Sequence, residues 1–147
     1  FVRNGVEIDH NLFDFDPAKD HGNAISGFGH ATAKGPASFH NNLVSNPGRG
    51  VIWINEVFND LTVRNNHVVA RPTATPRKEG LFGFNSKTDF KTITVRDNVF
   101  ECVELARPLF RNKESYGATV ENNTLANVSD ADSRTRRPTG RSGWKPR

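Results

Sequence analysis

Apolar and polar residues alternate over short stretches that recur along the chain. Five segments share one pattern: VEIDHNLF (6–13), ASFHNNLV (37–44), LTVRNNHV (61–68), ITVRDNVF (93–100) and ATVENNTL (118–125). Each runs apolar, polar, apolar, polar, a further polar residue, Asn, any residue, apolar. Strict alternation over four residues marks a strand with one buried face. Val6/Ile8, Ala37/Phe39, Leu61/Val63, Ile93/Val95 and Ala118/Val120 should therefore point inward. The fixed Asn falls at Asn11, Asn42, Asn66, Asn98 and Asn123, in steps of 31, 24, 32 and 25. The chain is expected to bend at this Asn, because Asn accepts left-handed or bridging backbone angles more readily than any residue but Gly. Stacked one per repeat, the amides can hydrogen-bond to one another in a ladder, which explains Asn in place of Gly. Phe13, Val44, Val68, Phe100 and Leu125 then point inward on the next short strand. Asn46, outside the ladder, is expected to matter little.

A second register lies upstream of the first. Phe1-Val-Arg-Asn4, Ile52-Trp-Ile-Asn55, Phe82-Gly-Phe-Asn85 and Leu109-Phe-Arg-Asn112 match, with Ala24-Ile-Ser-Gly-Phe28 a looser copy. Three short strands per repeat predict an all-β chain: a right-handed parallel β-helix, a solenoid of about five rungs on an Asn ladder, its hand following the preference of parallel crossovers. The helix should span residues 1–130, with rungs 1–23, 24–50, 51–79, 80–106 and 107–130, and variable loops absorbing the irregular steps. The blades of ~40 residues of a propeller and the leucine lattice of a leucine-rich repeat are both missing. An antiparallel sandwich would need tight Asn-Gly hairpins, and Asn4-Gly5 is the only such pair.

Composition agrees: Val, Phe, Leu and Ile supply the apolar side chains, Met is absent and Asn is plentiful. The net charge of +4 hides an asymmetry. Residues 131–147 hold six bases against Asp132, a net +5, which leaves −1 on the body. The basic character belongs to the C-terminal tail, and the folded part lacks the field that steers proteins onto nucleic acid. Cys102 is the only cysteine, so one chain forms neither a disulfide nor a CxxC metal site. No apolar run approaches the ~18 residues that span a membrane. A parallel β-helix exposes its core at both ends, and Phe1 enters in mid-rung without an initiating Met or capping helix. This predicts a partner: an N-terminal β-helix segment or a second chain covering the open end. At the other end the tail could fold over with Trp144 as a lid, or be disordered.

The stretch TATPRKEGLFGFNSKTDFKTITVRDNVFECVELARPLFRNKESYGATVENNTLANVSDAD, Thr73 to Asp132, followed by Thr139-Gly140 in the basic tail, resembles the C-terminal rungs of polysaccharide lyase family six, the alginate lyase and chondroitinase B group. The similarity spans most of the chain and is most specific in its second half. It implies a bacterial, secreted or periplasmic protein acting by β-elimination on a uronate polymer, alginate before others. In that chemistry a base removes the C5 proton of a uronic acid and a cation offsets the charge that develops on the carboxylate. The resemblance further implies a Lys base, a neighbouring Arg and, in the complete enzyme, a calcium ion held by Asn and Glu. Those motifs lie in the family's central rungs. No Lys-Ser followed by an Arg-His-Gly block occurs here, so no catalytic residue carries over and no cofactor is expected on this chain. The expectation is the C-terminal β-helical part of a lyase whose catalytic centre lies upstream. The alternative is a non-catalytic carbohydrate-binding or scaffold module.

The outward positions of the Asn strand stack as Asp9, His40, Arg64, Arg96 and Glu121, beside Glu7, Ser38, Thr62, Thr94 and Thr119. Neighbouring strands lie ~4.8 Å apart, close to one sugar length, so His40, Arg64 and Arg96 could meet successive carboxylates of an anionic polysaccharide. A solvated face whose end charges pair locally explains the same residues, and the sequence favours that plainer reading. Trp53 alternates with inward Ile52 and Ile54 and should face outward near Arg49 and Glu56. There it would stack on a sugar, fill an interface or be covered by the loop 71–79. Lys34 and His40 are the weak candidates for a base. His21, His30, His40 and Asp20 follow no metal-binding spacing and read as an incidental cluster, so no metal site is expected. Arg77, Lys78 and Lys87 read as solubilising loop bases.

Overall fold

The computed structural model describes residues 6–19, 22–26, 34–55, 59–72, 79–84, 87–111 and 117–129. The chain is all-β. Alternation at the Asn segments yields β1 (Val6–Asp9), β4 (Lys34–His40), β7 (Asn59–Arg64), β10 (Ile93–Arg96) and β13 (Thr119–Glu121). After the Asn follow β2 (Leu12–Asp14), β5 (Leu43–Ser45), β8 (His67–Ala70), β11 (Val99–Cys102) and β14 (Thr124–Ala126). Between repeats run β3 (Asn23–Ser26), β6 (Gly50–Ile54), β9 (Phe82–Phe84), β12 (Arg107–Pro108) and β15 (Val128–Ser129). A 3-10 turn at Phe90–Thr92, capped by the Asp89 carboxylate, leads into β10.

Each repeat gives one strand to the first sheet and one to the second, the strands between repeats form a smaller sheet and a separate pair, and every pairing among the described residues is parallel. The first sheet is ordered β1-β4-β7-β10-β13, the second β2-β5-β8-β11-β14 and the third β3-β6-β9, with β12 beside β15. The expected register holds: Val6 pairs with Ala37, Ala37 with Leu61, Leu61 with Ile93, and Val95 with Val120. On the second sheet Phe13, Val44, Val68, Phe100 and Leu125 align in one file. Their side chains and those of the first sheet fill one apolar core, to which the third sheet adds Ile52, Ile54, Phe82 and Phe84. Phe82 meets Phe100 edge-on at 5.7 Å, and Phe13 meets Phe39 at 5.8 Å, so side chains of different sheets share that interior.

The Asn ladder is continuous. Nδ2 of Asn11, Asn42, Asn66 and Asn98 donates to Oδ1 of the next ladder Asn at 3.1, 3.1, 2.9 and 2.9 Å. The backbone N–H of each donates to the same oxygen. The bend, however, is one residue earlier than expected. His10, Asn41, Asn65, Asp97 and Asn122 hold the left-handed angles, with φ of 53, 53, 53, 56 and 53°. The two tasks are divided: the first residue turns the chain, and the second ties the turn to its neighbour.

Two further expectations are corrected. In the third sheet Phe82 bridges Phe110, so Ile52, Phe82 and Phe110 align and Leu109 is one position out of file. Asn46 is not peripheral. It is buried with a φ of 56°, its Nδ2 donates to the Phe15 carbonyl at 3.1 Å, and its Oδ1 accepts from Arg71. The tail with Trp144, together with His21, His30, Asp20, Glu56, Arg77 and Lys78, lies outside the described residues.

Candidate functional site

The outer face of the first sheet carries two aligned files. Asp9 pairs with His40, His40 with Arg64, Arg64 with Arg96 and Arg96 with Glu121. Beside them Glu7, Ser38, Thr62, Thr94 and Thr119 align in the same way. The β-branched Thr residues favour the extended backbone and line the strands with hydroxyls. Arg64 and Arg96 are register partners on adjacent strands, so two cationic side chains leave the same face one strand apart. At ~5 Å in water such a like-charge pair costs about 0.8 kcal/mol, and directly opposed like charges destabilise a sheet. Asp97 offsets part of this by accepting from Arg96 Nη1 at 2.7 Å, in a pair that is well exposed to solvent. Arg64 makes no ion pair among the described residues. A carboxylate-bearing ligand laid across the two turns would relieve the repulsion.

His40 differs from its neighbours in the file. Its side chain is only 6% exposed. The Asn41 amide donates to Nδ1 at 2.8 Å, which leaves the proton on Nε2 to be donated to the Glu7 carboxylate in a close hydrogen bond. With both nitrogens engaged, the ring braces the first two repeats and offers no free lone pair to a substrate. Lys34 lies in β4 opposite Asn59, ahead of a shift in register before Ala37. Its side chain lies outside the described residues.

Trp53 faces outward on the third sheet, aligned with Ser26 and Gly83. Its six-membered ring lies directly over Gly83, where a Cβ would fall 2.4 Å from Cε3. The Arg111 guanidinium packs over the indole at 4.6 Å. Arg111 follows Phe110 and aligns with Gly83, so three successive turns build this cluster. Sequence reasoning found the Trp and missed its seat and its cation, because both depend on the register of the third sheet.

One buried cation was missed altogether. Arg107 Nε donates to the Glu79 carbonyl at 2.9 Å, Nη1 to the Pro47 carbonyl at 3.2 Å, and Nη2 closely to the Arg49 carbonyl. Burial pushes its pKa below the usual guanidinium range, opposed by Cys102 and then Glu79. The same burial pushes the Cys102 thiol up, opposed by Arg107. Three main-chain carbonyls from distant segments thus converge on one side chain, a clamp between turns rather than a solvent-facing site.

The calcium ion implied by the resemblance would need several clustered oxygen donors. Oδ1 of Asn42, Asn66, Asn98 and Asn123 each already accepts two N–H groups, and among the described residues no three His, Cys, Asp or Glu side chains converge. Set against known proteins, the chain matches no family model, no curated protein and no solved structure.

Proposed function

We propose that the chain is a right-handed parallel β-helix that binds a linear uronate polymer, alginate as first candidate, along the outer face of its first sheet. It serves as the C-terminal part of a bacterial, secreted or periplasmic polysaccharide lyase acting by β-elimination, with the catalytic centre on an upstream segment. A β-helical segment or second chain covers its open N-terminal edge. The observation that supports binding is the pairing of Arg64 with Arg96 beside a file of Thr hydroxyls. Two cations one strand apart match the carboxylate spacing of such a polymer, and adjacent hydroxyls can bond its ring oxygens. Trp53 with Arg111 offers a second aromatic and cationic contact on another face.

A non-catalytic binding or scaffold module is the second reading, and the engagement of both His40 nitrogens favours it. Titration calorimetry with alginate oligomers tests the binding. Arg64→Ala with Arg96→Ala should weaken it by about tenfold and flatten its salt dependence. The charge-matched control Lys19→Ala with Lys87→Ala should leave affinity nearly unchanged. Equal losses in both pairs would remove the face from consideration. Formation of unsaturated products, followed by ultraviolet absorbance, should be absent for this chain alone and appear once the upstream segment is restored. Turnover by the isolated chain would refute the division of labour and direct attention to Lys34, Arg64 and Arg96.

A further inference from the structure

The pattern that seals every interior turn stops at one edge without changing its chemistry. Among the described residues, β1, β2 and β3 are the outermost strands of their sheets. Ile8 is only partly buried, whereas Phe39, Val63 and Val95 in the same file are sealed. Phe13 stands in the same relation to Val44, Val68 and Phe100. Leu12 is 65% exposed, and its register partner Leu43 remains 43% exposed.

The ladder specifies what this edge would accept. At each interior step Oδ1 takes two hydrogen bonds, from the backbone N–H and the Nδ2 of the preceding ladder Asn. Asn11 gives both donors onward to Asn42, yet its own Oδ1 receives no such pair among the described residues. Ladder Asn residues from Asn42 onward are buried, and Asn11 is exposed. The edge therefore carries an acceptor for an amide pair and a half-covered apolar file on each side of it.

We propose that this edge docks one further parallel turn, whose Asn donates its backbone N–H and Nδ2 to Asn11 Oδ1. Apolar residues of that turn cover Val6, Ile8 and Phe13. The source is an upstream segment of the same polypeptide; this deepens, and rests on, the reading that such a segment covers the edge. Continuity with four identical turn-to-turn contacts carries the assignment. In each, the two Asn are joined through 24 to 32 residues of chain, so the turn docks without the entropy cost of association. A second copy stacked head to tail would have to donate from Asn123, which is buried.

The test joins a copy of residues 34–60 directly to Val6, which preserves the natural step of 24 residues between the copy's Asn42 and Asn11. Amide exchange in β1 and β2 should slow by about tenfold or more. Asn11→Ala should be nearly silent in the original chain and lower the melting temperature clearly in the extended one, as should Asn42→Ala within the added copy. Unchanged protection, with Asn11→Ala silent in both chains, overturns the proposal. Equal protection by a free peptide of residues 34–60, or a dimer of the original chain that protects β1, overturns the assigned source. Alginate binding through Arg64 and Arg96 is read separately in the original chain, so loss of one conclusion is distinguishable from loss of the other.

Discussion

Replacing Asn98 by Leu removes a fully engaged amide of the ladder. Its Nδ2 faces the Val63 and Arg96 carbonyls at 3.1 and 2.8 Å and Asn123 Oδ1 at 2.9 Å. Its Oδ1 accepts from the backbone N–H and the Nδ2 of Asn66, both at 2.9 Å. Leu fills a similar volume, so no large cavity opens. The damage is polar. The Asn66 N–H is left buried without its partner, at about 1 to 3 kcal/mol, and the lost donors add about 1 kcal/mol each where the carbonyls find no substitute. Asn66 Nδ2 retains the Phe39 and Arg64 carbonyls, and Asn123 Oδ1 retains the Asn98 backbone N–H, which limits the loss. The expected total is about 2 to 4 kcal/mol, measured as a lower urea midpoint with an unchanged slope. Asn11→Leu, at the exposed edge, should cost much less. Equal losses at Asn11 and Asn98 would refute the claim that inter-turn amide bonds, and not local turn geometry, carry the effect.

Asn46→Ala should cost about 1 to 2 kcal/mol by denaturant melts, and Asn46→Gly should recover the backbone share, because φ is 56° there; identical losses would exclude backbone strain. Gly83→Ala forces a Cβ into the Trp53 ring, so in a Trp144→Phe background the indole emission should shift to longer wavelength, and unchanged emission would contradict the seat described. Cys102 has its thiol pKa raised by burial above the ordinary 9.0. Its contribution to stability is therefore complete below that value and lost as pH rises toward the folded pKa. Cys102→Ala should flatten the alkaline fall in stability, and an unaltered pH profile would assign that fall to other groups.

The first two sheets were legible in the sequence because a period-2 pattern and a fixed Asn phase one another. A slip by one residue would turn Ile93 and Val95 outward and take Asn98 out of the ladder. The third sheet was less legible. Val51-Ile52, Leu81-Phe82 and Leu109-Phe110 are doublets in which both residues are buried, so alternation gives no phase and Leu109 took the place of Phe110. The left-handed residue before each ladder Asn is His, Asn or Asp, a mixture that conceals its role beside the invariant Asn. On the outer face, the alignment of His40, Arg64 and Arg96 followed from the repeat, but the Glu7 and Asn41 contacts that engage His40 did not. Arg107 was invisible because its carbonyl partners lie 28 to 60 residues away.

The central claim, that successive turns are joined through one stack of Asn amides, is most directly measured by through-hydrogen-bond scalar coupling in isotope-labelled protein. Couplings should link the backbone nitrogen of Asn42 to the side-chain carbonyl of Asn66, Asn66 to Asn98, and Asn98 to Asn123. Couplings confined to partners within one repeat, or side-chain amides exchanging freely with water along the whole series, would contradict it.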